Sequence, residues 1–228
     1  PFKGEDPQII FETLNSLGKP LTLSDLVRNF VLLNMESNKQ SDIYEKIWHP
    51  KIEEVLNENS SKFFRDYLQY KTASSLKVVS DNNTKELYQQ FKDFVEENFE
   101  DHNDFVNDIV RYVKCYKWII TEIINESIST NNTKDKEIKE LLRNIFHDIK
   151  AEAFKPFVLG LFEYHQYTVN NVKLSDDIFI TILTTIRTYL IRRRILGLTQ
   201  GENKNIVTFS KKIEGLSKGN IQMIELLT

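Results

Sequence analysis

Apolar residues return every three or four positions along most of this chain, and no sustained strand alternation interrupts them. The stripe Phe105, Ile109, Tyr112, Tyr116, Ile119 and Ile123, flanked by Val106, Val113, Ile120 and Ile124, predicts a long helix over 104–126. A stripe that wide belongs to a central helix contacted from several sides. A second long helix is predicted behind a Ser175 cap, with Phe179, Ile182, Leu183, Ile186, Leu190 and Arg193 in register and Gly197 as its stop. Shorter helices are predicted over 60–74, with Phe63, Phe64, Tyr67 and Leu68 inward, and after a Thr84 cap, with Leu87, Phe91, Phe94 and Val95 inward. Two more are predicted over 136–150 and 154–165, the latter with Pro156 in its first turn. The pieces 41–48 and 50–57 are expected to part at His49, where Pro50 disfavours the helical conformation.

The start of the chain carries the clearest local signals. Asp6-Pro7 opens a helix with Ile9, Ile10, Thr13 and Leu14 on one face; Gly18 stops it, and Lys19-Pro20 forces an extended link. Thr22 and Asp25 form a capping-box pattern for the next helix, which carries Leu23, Leu26, Val27, Phe30 and Val31. With only a weak strand-like patch at 76–79, the predicted fold class is all-α, an irregular bundle of about ten helices. The expected organisation is a helical hairpin over 1–36, a first helical subdomain over 37–130 and a second over 131–228, parted by the polar linker 127–135.

Composition agrees. Only 7 Gly and 5 Pro in 228 residues leave few places for hairpins, and 40% hydrophobic content supports a sizeable core and excludes a disordered chain. The single cysteine, Cys115, excludes an internal disulfide framework and points to a reducing compartment. No apolar run approaches the roughly 18 residues of a membrane span, and the opening PFKGEDPQ is no signal peptide. The expected location is cytoplasmic, without membrane partners. A start lacking Met and carrying a helix cap within six residues reads as a fragment of a larger protein.

Net charge is −3, unevenly placed: from Arg187 onward eight basic residues face three acidic ones, leaving +5 at that end and −8 elsewhere. Arg192, Arg193 and Arg194 fan over about 200° of a helix, so at least one approaches the packed side. Either Arg193 pairs with a buried carboxylate while its neighbours are solvated, or the run contacts phosphates. His49, His102, His147 and His165 lie in four different elements without zinc-site spacing. His147-Asp148 and Asp101-His102 are weak candidates for acid–base pairs, because adjacent helical residues point in different directions. There is no nucleotide-binding glycine loop and no nucleophile elbow. Cys115, within VKCYKW, reads as a buried small hydrophobe. No catalytic, cofactor-binding or metal-ligating set is expected in this chain.

Phe11, Leu14, Asn15, Gly18, Leu21, Thr22, Asp25 and Leu26, continued by Arg28-Asn29, resemble a signature of the GmrSD-type family, bacterial proteins related to modification-dependent restriction endonucleases. Tyr189-Leu190, Arg192-Arg193, Ile195 and Gly197, then Asn203-Lys204, resemble a second segment of that family in the same order. Trp48, Pro50 and the run Phe64-Arg65-Asp66-Tyr67-Leu68 between them are similar too. Thr199-Gln200, where the family often has Pro-Thr, and the third arginine, Arg194, depart from its pattern.

Such proteins carry an N-terminal ParB/sulfiredoxin-like domain with an Asp-Gly-Gln-Gln-Arg motif and a C-terminal HNH-like nuclease. This sequence has neither motif. The resemblance therefore implies a central helical connector of a phage-defence restriction protein whose parent uses an NTP and a divalent metal. Its partners would be the parent's N- and C-terminal domains, and DNA. Asn15, Gly18, Lys19, Arg28 and Asn29 are expected at the seam with the N-terminal domain, and Arg192, Arg193 and Arg194 toward DNA or the nuclease. A free-standing helical protein-interaction module and a DNA-binding module using the Arg192–Arg194 end are the alternatives.

Overall fold

The computed structural model describes residues 21–73, 76, 82–121, 133–169 and 171–198. The expected first helix, Gly18, the Lys19-Pro20 link, most of the 76–79 patch and the 127–132 part of the linker lie outside them. Among the described residues the fold is all-α, with Val169 and Val172 forming an isolated bridge in place of any strand. Seven helices have eleven or more residues: α1 Leu23–Leu33, α2 Ser60–Thr72, α3 Thr84–Asn98, α4 His102–Thr121, α5 Thr133–Arg143, α6 Lys155–Gln166 and α7 Asp176–Ile195.

The count falls short of ten partly because residues 37–59 form no long helices. Ser37–Ile43 is α-helical, Tyr44–Glu53 is a π-helix, Glu54–Leu56 is one α turn and Asn57–Asn59 is 3₁₀. The break expected at His49 does not occur; Pro50 sits inside the π-helix. Proline removes one donor and crowds the carbonyl one turn back, and a widened turn relieves that crowding. Trp48, Ile52 and Leu56, four residues apart, are all buried along this run. The 136–150 helix likewise ends at Arg143 and continues as a short π-helix, Asn144–Asp148. Thr84 is the first residue of α3, and Asn83 holds the cap position.

The described chain groups into two compact units, and the divisions fall inside α2 and α4. The first contains the residues up to Leu68 and those from Leu76 to Val113. It is built on aromatic rings. Trp48 stacks on Phe64 at 6.0 Å, Phe64 meets Phe91 at 5.6 Å, Phe91 meets Phe105 at 5.6 Å, and Tyr67 packs on Tyr112 at 5.2 Å. Tyr67 keeps its hydroxyl satisfied by donating to Asp108 at 2.7 Å. Beside these rings Asp66, fully buried, pairs with the neighbouring Arg65 guanidinium, itself 11% exposed. Helix α1 lies on α3, with Phe30 edge-on to Tyr88 and to His102.

The second unit holds the described residues from Gln69 to Ser75 and from Lys114 onward. Here α5 lies along α7. Lys134 bonds Asp177 at 2.8 Å and Arg187 bonds Asn144 at 3.4 Å, each 43 residues apart, so the two helices run in the same direction. The predicted inward residues of α7, Phe179, Ile182, Leu183, Ile186 and Leu190, are buried, and Phe162 of α6 meets Phe179 at 4.8 Å. Trp118 packs on Phe162 at 5.2 Å. Cys115 is buried, as a small hydrophobe would be.

Gly160 makes the closest approach in this unit: a Cβ there would stand 2.8 and 2.9 Å from Cζ and Cδ2 of Tyr70. The ring cannot swing aside freely, because its hydroxyl donates to buried Glu163 at 2.8 Å. Gly160→Ala is expected to lose about 1–3 kcal/mol of unfolding free energy in urea titration, the cost of overpacking. Tyr70→Leu, which removes the ring, should recover part of it in the double variant.

Candidate functional site

Two of the five seam residues, Arg28 and Asn29, lie on α1; Asn15, Gly18 and Lys19 lie outside the described residues. The predicted capping box starts this helix: Thr22 Oγ1 accepts from the Asp25 N–H at 3.2 Å, and Asp25 Oδ2 accepts from the Thr22 N–H at 3.0 Å. That cap places Arg28 on the flank of the buried stripe, where its guanidinium donates to Glu53 Oε1 at 3.0 Å and lies 3.2 Å from Asp25. Asn29 is half-buried next to it.

Glu53, which beside Glu54 reads in the sequence as one of a pair of acids on a solvated face or at a helix N-terminus, is instead the hub of this cluster. Its other oxygen accepts from the Tyr44 hydroxyl at 3.4 Å and lies 3.2 Å from His49 Nδ1. His49 stacks on Tyr44, and its Nε2 is 3.4 Å from Glu54. Burial pushes the Glu53 carboxyl up, but hydrogen bonds from Arg28 and His49, and their charge, outweigh it and hold it below the ordinary value of 4.5. The stabilisation from a lowered carboxylate is complete above its unfolded value and is lost as pH falls through the folded one. Arg28→Met is therefore expected to cost about 1 kcal/mol at pH 7. The gap between variant and parent in urea unfolding should close as pH drops below 4.5. The arrangement ties α1 to the π-helix, through contacts 25 and nine residues apart that the sequence does not announce.

At the other end, the expected Gly197 stop is realised as a Schellman turn. Gly197 adopts φ +69°, the Leu198 N–H bonds Arg193 O at 2.9 Å, and the Gly197 N–H bonds Arg194 O at 3.1 Å. The arginines do not act as one cluster. Arg193 lies over the Tyr189 ring at 5.5 Å, Arg194 donates to the Ile149 carbonyl at 2.6 Å, and Arg192 is exposed. A Cβ at Gly197 would meet nothing within 4 Å, so the conformation alone requires glycine. Gly197→Ala is expected to lose about 1 kcal/mol in urea titration, and Gly197→Asn less.

The four histidines lie in four separate elements. His165, on α6, is buried and stacked on Phe179 at 4.4 Å; its Nε2 meets Asp176 at 2.9 Å and its Nδ1 meets the Gln166 amide at 2.8 Å. It borders an open cleft of about 580 Å³ with Ser175, Lys134 and Lys173. This is not a Ser-His-Asp triad, because Ser175 Oγ caps α7 by accepting from the Ile178 N–H and both imidazole nitrogens are taken. His147 and Asp148, thought unlikely to meet as neighbours, are 2.9 Å apart and both exposed at the end of the short π-helix Asn144–Asp148. That contact holds Asp148 below the usual carboxylate range. Burial against Phe30 pushes His102 below the usual imidazole range despite Asp101 and Glu96. No group of three or more His, Cys, Asp or Glu among the described residues is arranged to hold a metal ion. No helix among them is long and apolar enough to cross a membrane.

Sequence reasoning also missed the aliphatic side chains around the arginines: Ile191, Ile195, Leu196 and Leu198 are 43%, 79%, 70% and 51% exposed. The available signal was a helix face that is polar at Thr184, Arg187 and Thr188 and turns aliphatic in its last turn. No family model, curated protein or solved structure matches the chain.

Proposed function

We propose that this chain is the central helical connector of a bacterial GmrSD-type restriction protein of phage defence, a fragment joining a nucleotide-hydrolysing domain to an HNH-like nuclease. The observation that carries this reading is where the residues of the two resembling segments fall. Thr22, Asp25 and Leu26 are the cap and first core residues of α1, and Leu190, Arg193 and Gly197 anchor and close α7. They serve as helix caps and packing positions, which is the work of a scaffold. The NTP and divalent metal of the parent would be held by those neighbours, in the cytoplasm. Arg28 and Asn29 would adjoin the N-terminal domain, and Arg192 would face DNA or the nuclease.

Determining the complete reading frame tests this. Upstream codons for Asp-Gly-Gln-Gln-Arg and a downstream HNH-like motif are expected. A complete frame lacking both would remove the connector reading and leave a free-standing helical interaction module.

A further inference from the structure

Of the five large hydrophobic residues exposed among the described residues, four crowd the end of α7: Ile191, Ile195, Leu196 and Leu198. Ile191 and Ile195, one turn apart, share a helix face. Leu196 and Leu198 extend the patch past the helix, and the paired Schellman bonds at Gly197 hold them in place, so this is not a frayed terminus. Four exposed aliphatic side chains gathered within residues 191–198, at a capped helix end, mark an interaction site. Around it stand exposed Arg192 and Arg194, the latter oriented by its bond to the Ile149 carbonyl.

We propose that this end of α7 docks a partner helix whose aliphatic stripe is flanked by aspartate or glutamate side chains. Ile195 and Leu196 fill the stripe, and Arg192 takes a flanking carboxylate, which guanidinium binds in bidentate fashion. A nucleic-acid backbone fits the surface less well. The exposed aliphatic side chains find nothing apolar in a phosphate backbone, while Arg193 lies over Tyr189 and Arg194 is engaged by the Ile149 carbonyl. The inference rests on this patch alone and stands apart from the family reading.

The test uses the full chain and three fluorescent probes: a helical peptide with a leucine stripe flanked by glutamates, the same peptide with lysines, and a 20-base-pair DNA duplex. The glutamate peptide is expected to bind at least about tenfold more tightly than the lysine peptide. Ile195→Asp and Arg192→Glu, both at exposed positions, should each weaken it about tenfold with circular dichroism unchanged. Methyl resonances of Ile191, Ile195, Leu196 and Leu198 should shift on binding. Failure of the glutamate peptide to bind, equal binding of both peptides, or binding insensitive to Ile195→Asp would overturn the proposal. So would salt-sensitive duplex binding that Arg192→Glu abolishes and Ile195→Asp spares, or methyls of Ile195 and Leu196 shielded from a soluble relaxation agent in the unliganded chain.

Discussion

Asp66→Ala is expected to lose about 3–5 kcal/mol of unfolding free energy, the cost of breaking a buried ion pair from one side. The carboxylate is fully buried and its partner Arg65 is 11% exposed, so truncation strands a guanidinium with little water to receive it. The size of the loss reflects that stranded charge more than any net attraction between the two groups. Replacing both partners at once, Arg65→Met with Asp66→Leu, should therefore cost less than Asp66→Ala alone. Urea titration of the two variants beside the parent decides the matter. A loss below about 1 kcal/mol for Asp66→Ala would mean that water reaches the pair.

Phe64→Ala is expected to cost a similar amount, about 3–5 kcal/mol, through lost burial and the cavity left behind. The ring packs against Trp48 of the π-helix, Phe91 of α3 and its own neighbour Phe63 in α2, so no single neighbour can collapse into the space. The chain offers a direct probe, since its two tryptophans are divided between the units: Trp48 lies in the first and Trp118 in the second. In a Trp118→Phe background, Trp48 fluorescence reports the first unit alone, and its urea midpoint should fall sharply on Phe64→Ala. An unchanged midpoint would show that this aromatic cluster does not hold the unit together.

Periodicity and capping chemistry were legible because they are local. The Thr22–Asp25 box, the Ser175 cap, the Gly197 stop and the inward faces of α3, α4 and α7 each depend on residues within a few turns of one another. What escaped depends on geometry that spacing does not encode. The break expected at Pro50 presumed α geometry, whereas a π turn absorbs the proline. The weak expectation for His147-Asp148 presumed the same geometry, and there too the chain is π-helical. Arg28, read as a seam residue, is engaged by Glu53, 25 positions away, a contact that no local pattern announces. That the three arginines fan apart was legible; that Arg193 lies over Tyr189 and Arg194 reaches the Ile149 carbonyl was not.

The contact of Tyr70 with Gly160 and Glu163 also has a consequence in time. Ninety-three residues separate Tyr70 from Glu163. At ribosomal rates of about 5–20 residues per second, the last turn of α2 emerges on the order of 5–20 s before the carboxylate that will receive its hydroxyl. The fit of that ring over a bare glycine is therefore closed late in synthesis, once α6 has followed α2 out of the ribosome.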